Sequence, residues 1–588
     1  MQHFKRKNAV FSRNKVKSLH VSSLSHGIPL LLQKITNHRM KKLNIILFLL
    51  FLGMSVSAQN TSDRNFEIGK SIDIFSALVK DLDLYYVDTL ETKSVVRKGI
   101  DYMLGQLDPY TVFYSDEDMG DLKMMTTGKY AGIGSVIRMY QKDKVVISEP
   151  YANSPAARSG LKAGDILLQI DDIDLKGKTT SDVSSLLRGE PETSFVLKVK
   201  RPGVEKPMTF KITRETIATP AVPYYGMVST DIGYINFSSF TENCSKDIRS
   251  AAIELKNSGA KGLVVDLRNN GGGLLSEAVE IVNLFLPKGK LVLRTQGKTK
   301  QSSHEYLTSK EPLYSDIPLV VLVNGNTASS SEIMAGTLQD YDRGVVVGSR
   351  TYGKGLVQSV REMPYNSSMK LTTSKYYIPS GRCVQAIDYK NRDGMGRATL
   401  IADSLTHVFH TEAGREVRDG GGIRPDVEVK LDTVANITAY LAVDDVVFDY
   451  ATEYYQKHPN LKSVSDFEIT DEDYADFCQK VKNSDFKYDK QTEKALESLQ
   501  KIAEFEGYLE PAKEEFEALK KKLTHNLDYD LEQNKKDIKQ ILSDEIIKRY
   551  FYQAGSVEQS LKYDPTLDKA VEILHDDALY KSILTIKK

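Results

Sequence analysis

"PLVVLVNGNTASSSEIMAGTLQDY", residues 318–341, carries three textures in succession. The first is an unbroken aliphatic run, which reads as a strand buried on both faces, because a half-exposed strand would alternate. The second, from Asn324 to Ser329, is a polar turn. The third, from about Ser330, has helical spacing. Two more runs share the first texture, "GLVVDL" (262–267) and "GVVVG" (344–348), and "LLSEAVEIVNLFL" (274–286) reads as a helix between strands. Strand–helix alternation of this kind implies an α/β layer with a parallel sheet. Active sites of such layers lie at the carboxyl ends of the strands, where the polar turns fall.

One such turn, "GSRTYGKG" (348–355), almost spells a phosphate-binding loop. A true phosphate loop places Ser or Thr after its Lys to hold the metal, and here that position is Gly355. The loop should also open a helix, yet "GLVQSVREM" follows with strand-type residues. Lys354 therefore suits another task. An amine set between glycines in an apolar setting loses solvation, its pKa falls, and it becomes able to accept a proton.

A base needs a nucleophile, and Ser329 occupies the strand–turn–helix corner that a nucleophile elbow requires, although the G-x-S-x-G spelling is absent. The first amide of the following helix, at Ser330, would face a developing oxyanion. "DLRNNGGGLLSEA" (266–278) offers a second amide, with Gly272 as first choice and Gly273 as second. Taken singly, a serine run before a helix is a cap, a glycine triplet is a turn and a lysine beside glycine is solvated. Their occurrence in consecutive β–α units of one sheet favours catalysis. A Ser-His-Asp triad is the rival: of ten His, four precede residue 40, three belong to the helical tail, and His304, His407 and His410 sit in polar stretches without an evident orienting acid.

Beyond this core, the 588 residues call for several domains. Residues 40–58 of "MKKLNIILFLLFLGMSVSAQN" have a basic start, an apolar stretch too short for the ~20 residues of a membrane span, and small residues before Gln59. They read as a cleaved signal peptide, residues 1–39 as an upstream extension, and the destination as outside the cytoplasm. Ten of the 79 basic residues but none of the 79 acidic ones fall in that region, which leaves an acidic remainder and argues against a nucleic-acid partner. Three scattered Cys supply neither a disulfide framework nor a metal cluster, so no metal or cofactor is expected. Residues 59–125 read as an N-terminal helical segment, 126–215 as a strand-rich module with two helices, 216–435 as the core, and 436–588 as a charged helical extension. In that extension Leu496, Leu499 and Ile502 share one helix face, and its helices are a candidate surface for a homo-oligomer.

The segments "LGQLDPYTVFY", "SPAARSGLKAGDILLQID", "GLVVDLRNNGGGLL", "NTASSSEI", "GSRTYGKGLVQS" and "LTTSKYYIPSGRCVQ", in this order, resemble the carboxyl-terminal-processing, or tail-specific, serine peptidases with an inserted PDZ domain. The resemblance implies a multidomain α/β and α+β fold: a Ser–Lys peptidase core with a mixed or parallel sheet and helices, the PDZ insert, the N-terminal helical segment and the C-terminal helical extension. It implies Ser329 as nucleophile, 25 residues before the base Lys354, with Gln358 orienting that lysine, and it carries the oxyanion glycine onto the 269–273 turn. Relatives often have Pro where Gly271 stands here. The PDZ domain would capture protein carboxyl termini through the "YAGIG" loop (Ala131, Gly132, Ile133 and Gly134), with the 180–188 helix as groove wall and Arg188 coupling groove to active site. Expected substrates are unfolded or tailed proteins and the expected compartment is the periplasm. The competing class is an inert PDZ-containing adaptor.

Overall fold

The structure, a computed structural model, describes residues 63–430, 434–523 and 526–586. The expected signal peptide lies outside them. The chain divides into two units, Met1–Ile100 and Asp101–Lys588. In the first, residues 63–85 are helical. Everything below concerns the second.

The module expected to be a PDZ domain is built on an antiparallel sheet. Its edge strand β1 (Ser135–Tyr140) pairs with Lys144–Pro150, and the order continues through Ile166–Ile170 and Ser194–Lys200 to Met208–Thr213. Helix α1 (Thr180–Leu187) starts at Thr179, whose hydroxyl accepts from the Asp182 amide while the Asp182 carboxylate answers the Thr179 amide, a reciprocal cap. A two-stranded ribbon, Lys129–Gly132 with Glu215–Ala218, joins the module to the core.

The core is the expected α/β layer. Strands β2 (Ile232–Asn236) and β3 (Gly262–Asp266) are followed by helix α2 (Leu275–Val282), then by β4 (Leu319–Val323), helix α3 (Ser330–Asp340) and β5 (Val345–Gly348). β2 to β5 are parallel neighbours in chain order, with an antiparallel edge strand, Tyr224–Met227, beside β2. Val264 faces Val320 and Val321 faces Val346 across the ladder. A second, antiparallel sheet is built on β6 (Leu356–Met363) and β7 (Ser367–Tyr377), and Val112–Tyr114 pairs with β7.

The parallel strands are buried on both faces, which explains their unbroken apolar runs. Leu263, Val265, Val321 and Val323 pack toward Ile333 and Leu338 of α3. Val264, Val320, Leu322 and Val345 pack the other way, against Leu567, Ala570, Ile573 and Leu574. These belong to the C-terminal helical region, which comprises α4 (Asp445–Lys457), α5 (Lys535–Ser560) and α6 (Pro565–His575) among others. Each Leu or Ile so covered contributes about 1.5–3 kcal/mol, making α6 one wall of the core rather than an appendage. The same region grips the PDZ module: Asp445 of α4 pairs with Arg138, Tyr140 donates to Asp449 at 3.1 Å, and Phe448 packs on Tyr140 and Val146. Farther out the expected face is only partly covered, with Leu496 buried while Leu499 and Ile502 are half exposed.

One ion pair closes the core at the end of α3. Arg382, 1% exposed, donates to Asp340 and to the Gln339 side chain, each at 2.8 Å. The other Asp340 oxygen accepts from the Ser380 amide. Arg382→Leu is expected to destabilise the protein by about 3–5 kcal/mol, because it strands a buried carboxylate. A lower urea midpoint checks this; an unchanged midpoint refutes it.

Candidate functional site

Ser329 caps α3 with φ 59° and ψ −117°, a region costing about 1–3 kcal/mol for a side chain other than glycine. The strain is held by polar stitching. The Ala328 amide donates to the Asn270 carbonyl at 3.0 Å, the Ser331 hydroxyl donates to that same oxygen, and the Thr327 hydroxyl donates to the Leu267 carbonyl. These bonds lace the 324–331 turn to the 267–273 turn at the carboxyl ends of β3 and β4.

Glycine is required where the turns meet. A Cβ on Gly272 (φ 94°) would lie 2.7–2.8 Å from the Ala328 carbonyl oxygen, Ser329 Cβ and Ser330 N, and one on Gly273 would strike the Phe240 carbonyl oxygen at 2.3 Å. The Gly272 amide, first choice among the oxyanion donors, donates to Asn270 Oδ1 at 2.9 Å and is engaged in this conformation. The Ser330 amide, first in α3, has no intrahelical partner.

Ser329, Ser330, Gly271–Gly273, Lys354 and Gln358 all line one cavity of about 300 Å³, completed largely by apolar side chains. Lys354 is held well below its ordinary range, near 8, chiefly by burial and then by the positive charge of Lys370. Two expected contacts are absent. Among the described residues no hydrogen bond joins Ser329 Oγ to Lys354 Nζ; the amine lies over the Tyr110 ring, 4.2 Å from its centroid. Gln358, expected to orient Lys354, donates instead to Thr372 Oγ1 at 3.1 Å, and that hydroxyl donates to Asp108 Oδ1 at 3.2 Å. The antiparallel ladder to β7 aligns Gln358 with Thr372, so the short amide finds the hydroxyl directly across from it.

Residue-by-residue reading missed Glu332. This carboxylate is completely buried, yet accepts four hydrogen bonds: from the amides of Ser329 (2.8 Å), Gly353 (2.7 Å) and Lys354 (2.8 Å), and from the Thr351 hydroxyl (2.6 Å). The Thr351 oxygen itself accepts from the Ile423 amide, so its proton points to Glu332. Burial outweighs the four donors and leaves the Glu332 carboxyl above its ordinary range. Three of the four partners are backbone amides that can only donate, so the hydrogen-bond geometry favours the carboxylate form. The pattern S-x-x-E at 329–332 was the available signal. Tyr110 was legible only as the residue after a pattern-breaking Pro109.

The PDZ residues divide. Ala131 and Gly132 lie in the connecting ribbon, opposite Thr216 and Glu215, rather than in a carboxylate loop. Ile133 lines a small cavity of about 100 Å³ with Ser135 and Ile137 on one side and Leu187 and Arg188 on the other, and Gly134 turns the chain into β1. Arg188 stacks on Tyr130 and pairs with Asp121 at 2.7 Å. Asp121 lies on the helix Met119–Thr127, whose Met125 and Thr126 line the Ser329 cavity. Among the described residues, no His, Cys, Asp or Glu cluster is arranged to hold a metal, and no helix is long and apolar enough to cross a membrane.

Comparison with known families matches residues 231–391 to "Peptidase family S41", 146–201 to "PDZ domain" and 437–574 to "Probable PDZ-protease, C-terminal helical domain". A carboxy-terminal-processing protease of Bartonella bacilliformis is 33% identical over 343 residues, covering 58% of this chain and 77% of that protein. A carboxyl-terminal-processing protease of Synechocystis sp. is 35% identical over 300 residues, covering 50% and 70%. Among solved structures, a photosystem II D1 C-terminal processing protease is 27% identical with a TM-score of 0.32, covering 60% of this chain and 87% of that one. The chain belongs to peptidase family S41, as a serine-type, carboxyl-terminal-processing peptidase with a PDZ domain and a C-terminal helical domain.

Proposed function

We propose that the enzyme hydrolyses peptide bonds with a Ser329–Lys354 dyad and selects substrates by their carboxyl-terminal tails. One observation carries this reading: a strained serine at a strand–helix corner shares its cavity with a lysine amine whose pKa is pushed down to about 8. At the start of the reaction the neutral amine leaves the Tyr110 face, accepts the Ser329 proton, and the alkoxide attacks the scissile carbonyl carbon. The oxyanion takes the amides of Ser330 and Gly273; Gly272 joins them only if it releases Asn270. Collapse expels the amine half, which takes the proton from Lys354, and leaves an acyl-enzyme. Water, deprotonated by the same amine, completes hydrolysis.

The tail would add as a strand along β1, with its side chains against α1 and its carboxylate at the Ile133–Gly134 turn. Arg188, bridging Tyr130 to Asp121, is suited to report that occupancy to the helix bordering the Ser329 cavity. The ion pair is exposed and worth under about 1 kcal/mol, so its use is geometric rather than stabilising. Residues 40–58 direct export by a cleaved signal peptide, and the enzyme works in the periplasm on unfolded or tailed proteins.

Ser329→Ala and Lys354→Ala should each lower turnover of an unfolded protein bearing an apolar tail by more than about 10³-fold with unchanged thermal melts. Full activity in both variants overturns the dyad. Because burial and Lys370 disfavour the ammonium, Lys354 loses its proton near pH 8 instead of 10.5. The value of kcat/KM should therefore rise about tenfold per pH unit up to that point and level above it, and Lys370→Met should move the inflection upward. A flat profile from pH 6 to 10 contradicts the amine base. Glu332→Gln turns an NH₂ against two of the donors; a stability loss of about 1–3 kcal/mol is expected, together with slower acylation of Ser329 by a fluorophosphonate. Wild-type stability and labelling rate in that variant would remove Glu332 from the account.

A further inference from the structure

The 268–273 turn beside Ser329 is anchored at its first residue by a group far away in sequence. Arg268, two residues beyond the end of β3, folds back so that its Nε and Nη2 donate to Asp266 at 3.0 and 2.6 Å. Its outer edge makes a two-point contact with Asp564: Nη1 donates to Oδ1 at 2.9 Å, and Nη2 bonds Oδ2. Asp266 is buried and also accepts from the Tyr234 hydroxyl at 2.7 Å. Asp564 stands at the entrance to α6, where Oδ1 also accepts from the amides of Thr566 and Leu567. The apolar face of α6 covers the underside of β3 and β4. The guanidinium is thus clamped between a carboxylate of its own strand and one delivered by the C-terminal helical domain.

From Arg268 the path to the reacting atoms is short and polar. Asn269 follows in a left-handed conformation, its amide donating to Asn324 Oδ1 and its side-chain oxygen accepting from Asn324 and Asn326. Asn270 follows, binding Ala328, Ser331 and Gly272. Gly272 then lies against Ser329 Cβ and Ser330 N with no room for a methyl group. These contacts link Arg268 to the amides that flank Ser329.

We propose that Asp564 is a positioning residue for catalysis: acting through Arg268, it holds the 268–273 turn in register with Ser329 and makes the C-terminal helical domain part of the catalytic apparatus. The inference rests on the Ser329 reading above. A displacement on the order of 1 Å in such a turn costs up to about 10²-fold in rate.

The test uses the full chain with Asp564→Asn and Asp564→Ser. Both residues still cap α6, so the helix start is retained; Asn removes the charge, and Ser also withdraws from Arg268. Expected is a fall in kcat of about tenfold or more, with KM for a quenched-fluorescent peptide changed less than twofold. Fluorophosphonate labelling of Ser329 should slow in parallel. In Arg268→Met the Asp564→Ser change should add less than a twofold further loss, since the contact is already gone. Wild-type kcat and labelling in folded Asp564→Ser overturn the proposal, as does a full independent loss in the Arg268→Met background. If Asp564→Ser does not fold, Asp564→Asn decides by the same criteria. Loss in Ser329→Ala with normal Asp564 variants removes only the positioning role, whereas an active Ser329→Ala removes the dyad beneath it.

Discussion

The geometry of the candidate site depends on one buried carboxylate. Ser329 and Lys354 come from successive β–α units, and nothing in either unit alone holds one to the other. Glu332 does so by accepting from the backbone amide of each, and from Gly353 and Thr351 besides. Sealing a carboxylate from water costs several kcal/mol, offset only when every lone pair meets a donor. Here four donors arrive at 2.6–2.8 Å, so the arrangement is held together as a unit. The same bonds explain the strain at Ser329: its amide must turn inward to the carboxylate, and a positive φ leaves its side chain facing the cavity.

The glycine turn is the complementary half. Asn269 and Asn270 use backbone and side-chain groups to bind the serine turn, and the glycines allow approach distances no other residue permits. The C-terminal helical domain completes both the underside of the sheet, through α6, and the anchoring of Arg268. Its other end holds the PDZ module through α4. The PDZ module and the peptidase core therefore share a common support, and a strained serine is compatible with stability because that support is extensive.

The lysine shows what the fold leaves adjustable. Its backbone is pinned by Glu332, whereas the amine at the end of four methylenes rests on Tyr110. An amine that is largely desolvated and near a second cation is poised to lose its proton, and the long side chain supplies the reach. Gln358 is occupied with Thr372 in the same conformation, so the groups expected to form a relay are gathered in one cavity without yet being joined.

Periodicity and turn chemistry were enough to read the parallel layer from its unbroken aliphatic runs, to set Ser329 at a strand–helix corner, and to put a glycine turn and a desolvated lysine at neighbouring strand ends. These are local properties: burial on two faces removes polar residues from a strand, and corners select Gly, Ser and Asn. Hydrogen-bond partners distant in sequence were not legible. The Gly272 amide is taken by Asn270, Ala131 pairs with Thr216, and Leu567 and Leu574 floor the sheet, none of which local spacing or charge pattern expresses. Glu332 and Asp564 each stand at the start of a helix, where acids are common for capping alone. Only the folding of separate β–α units and a remote helix onto one sheet turned the first into the clasp of the site and the second into the anchor of its glycine turn, because a carboxylate's role is decided by which donors surround it.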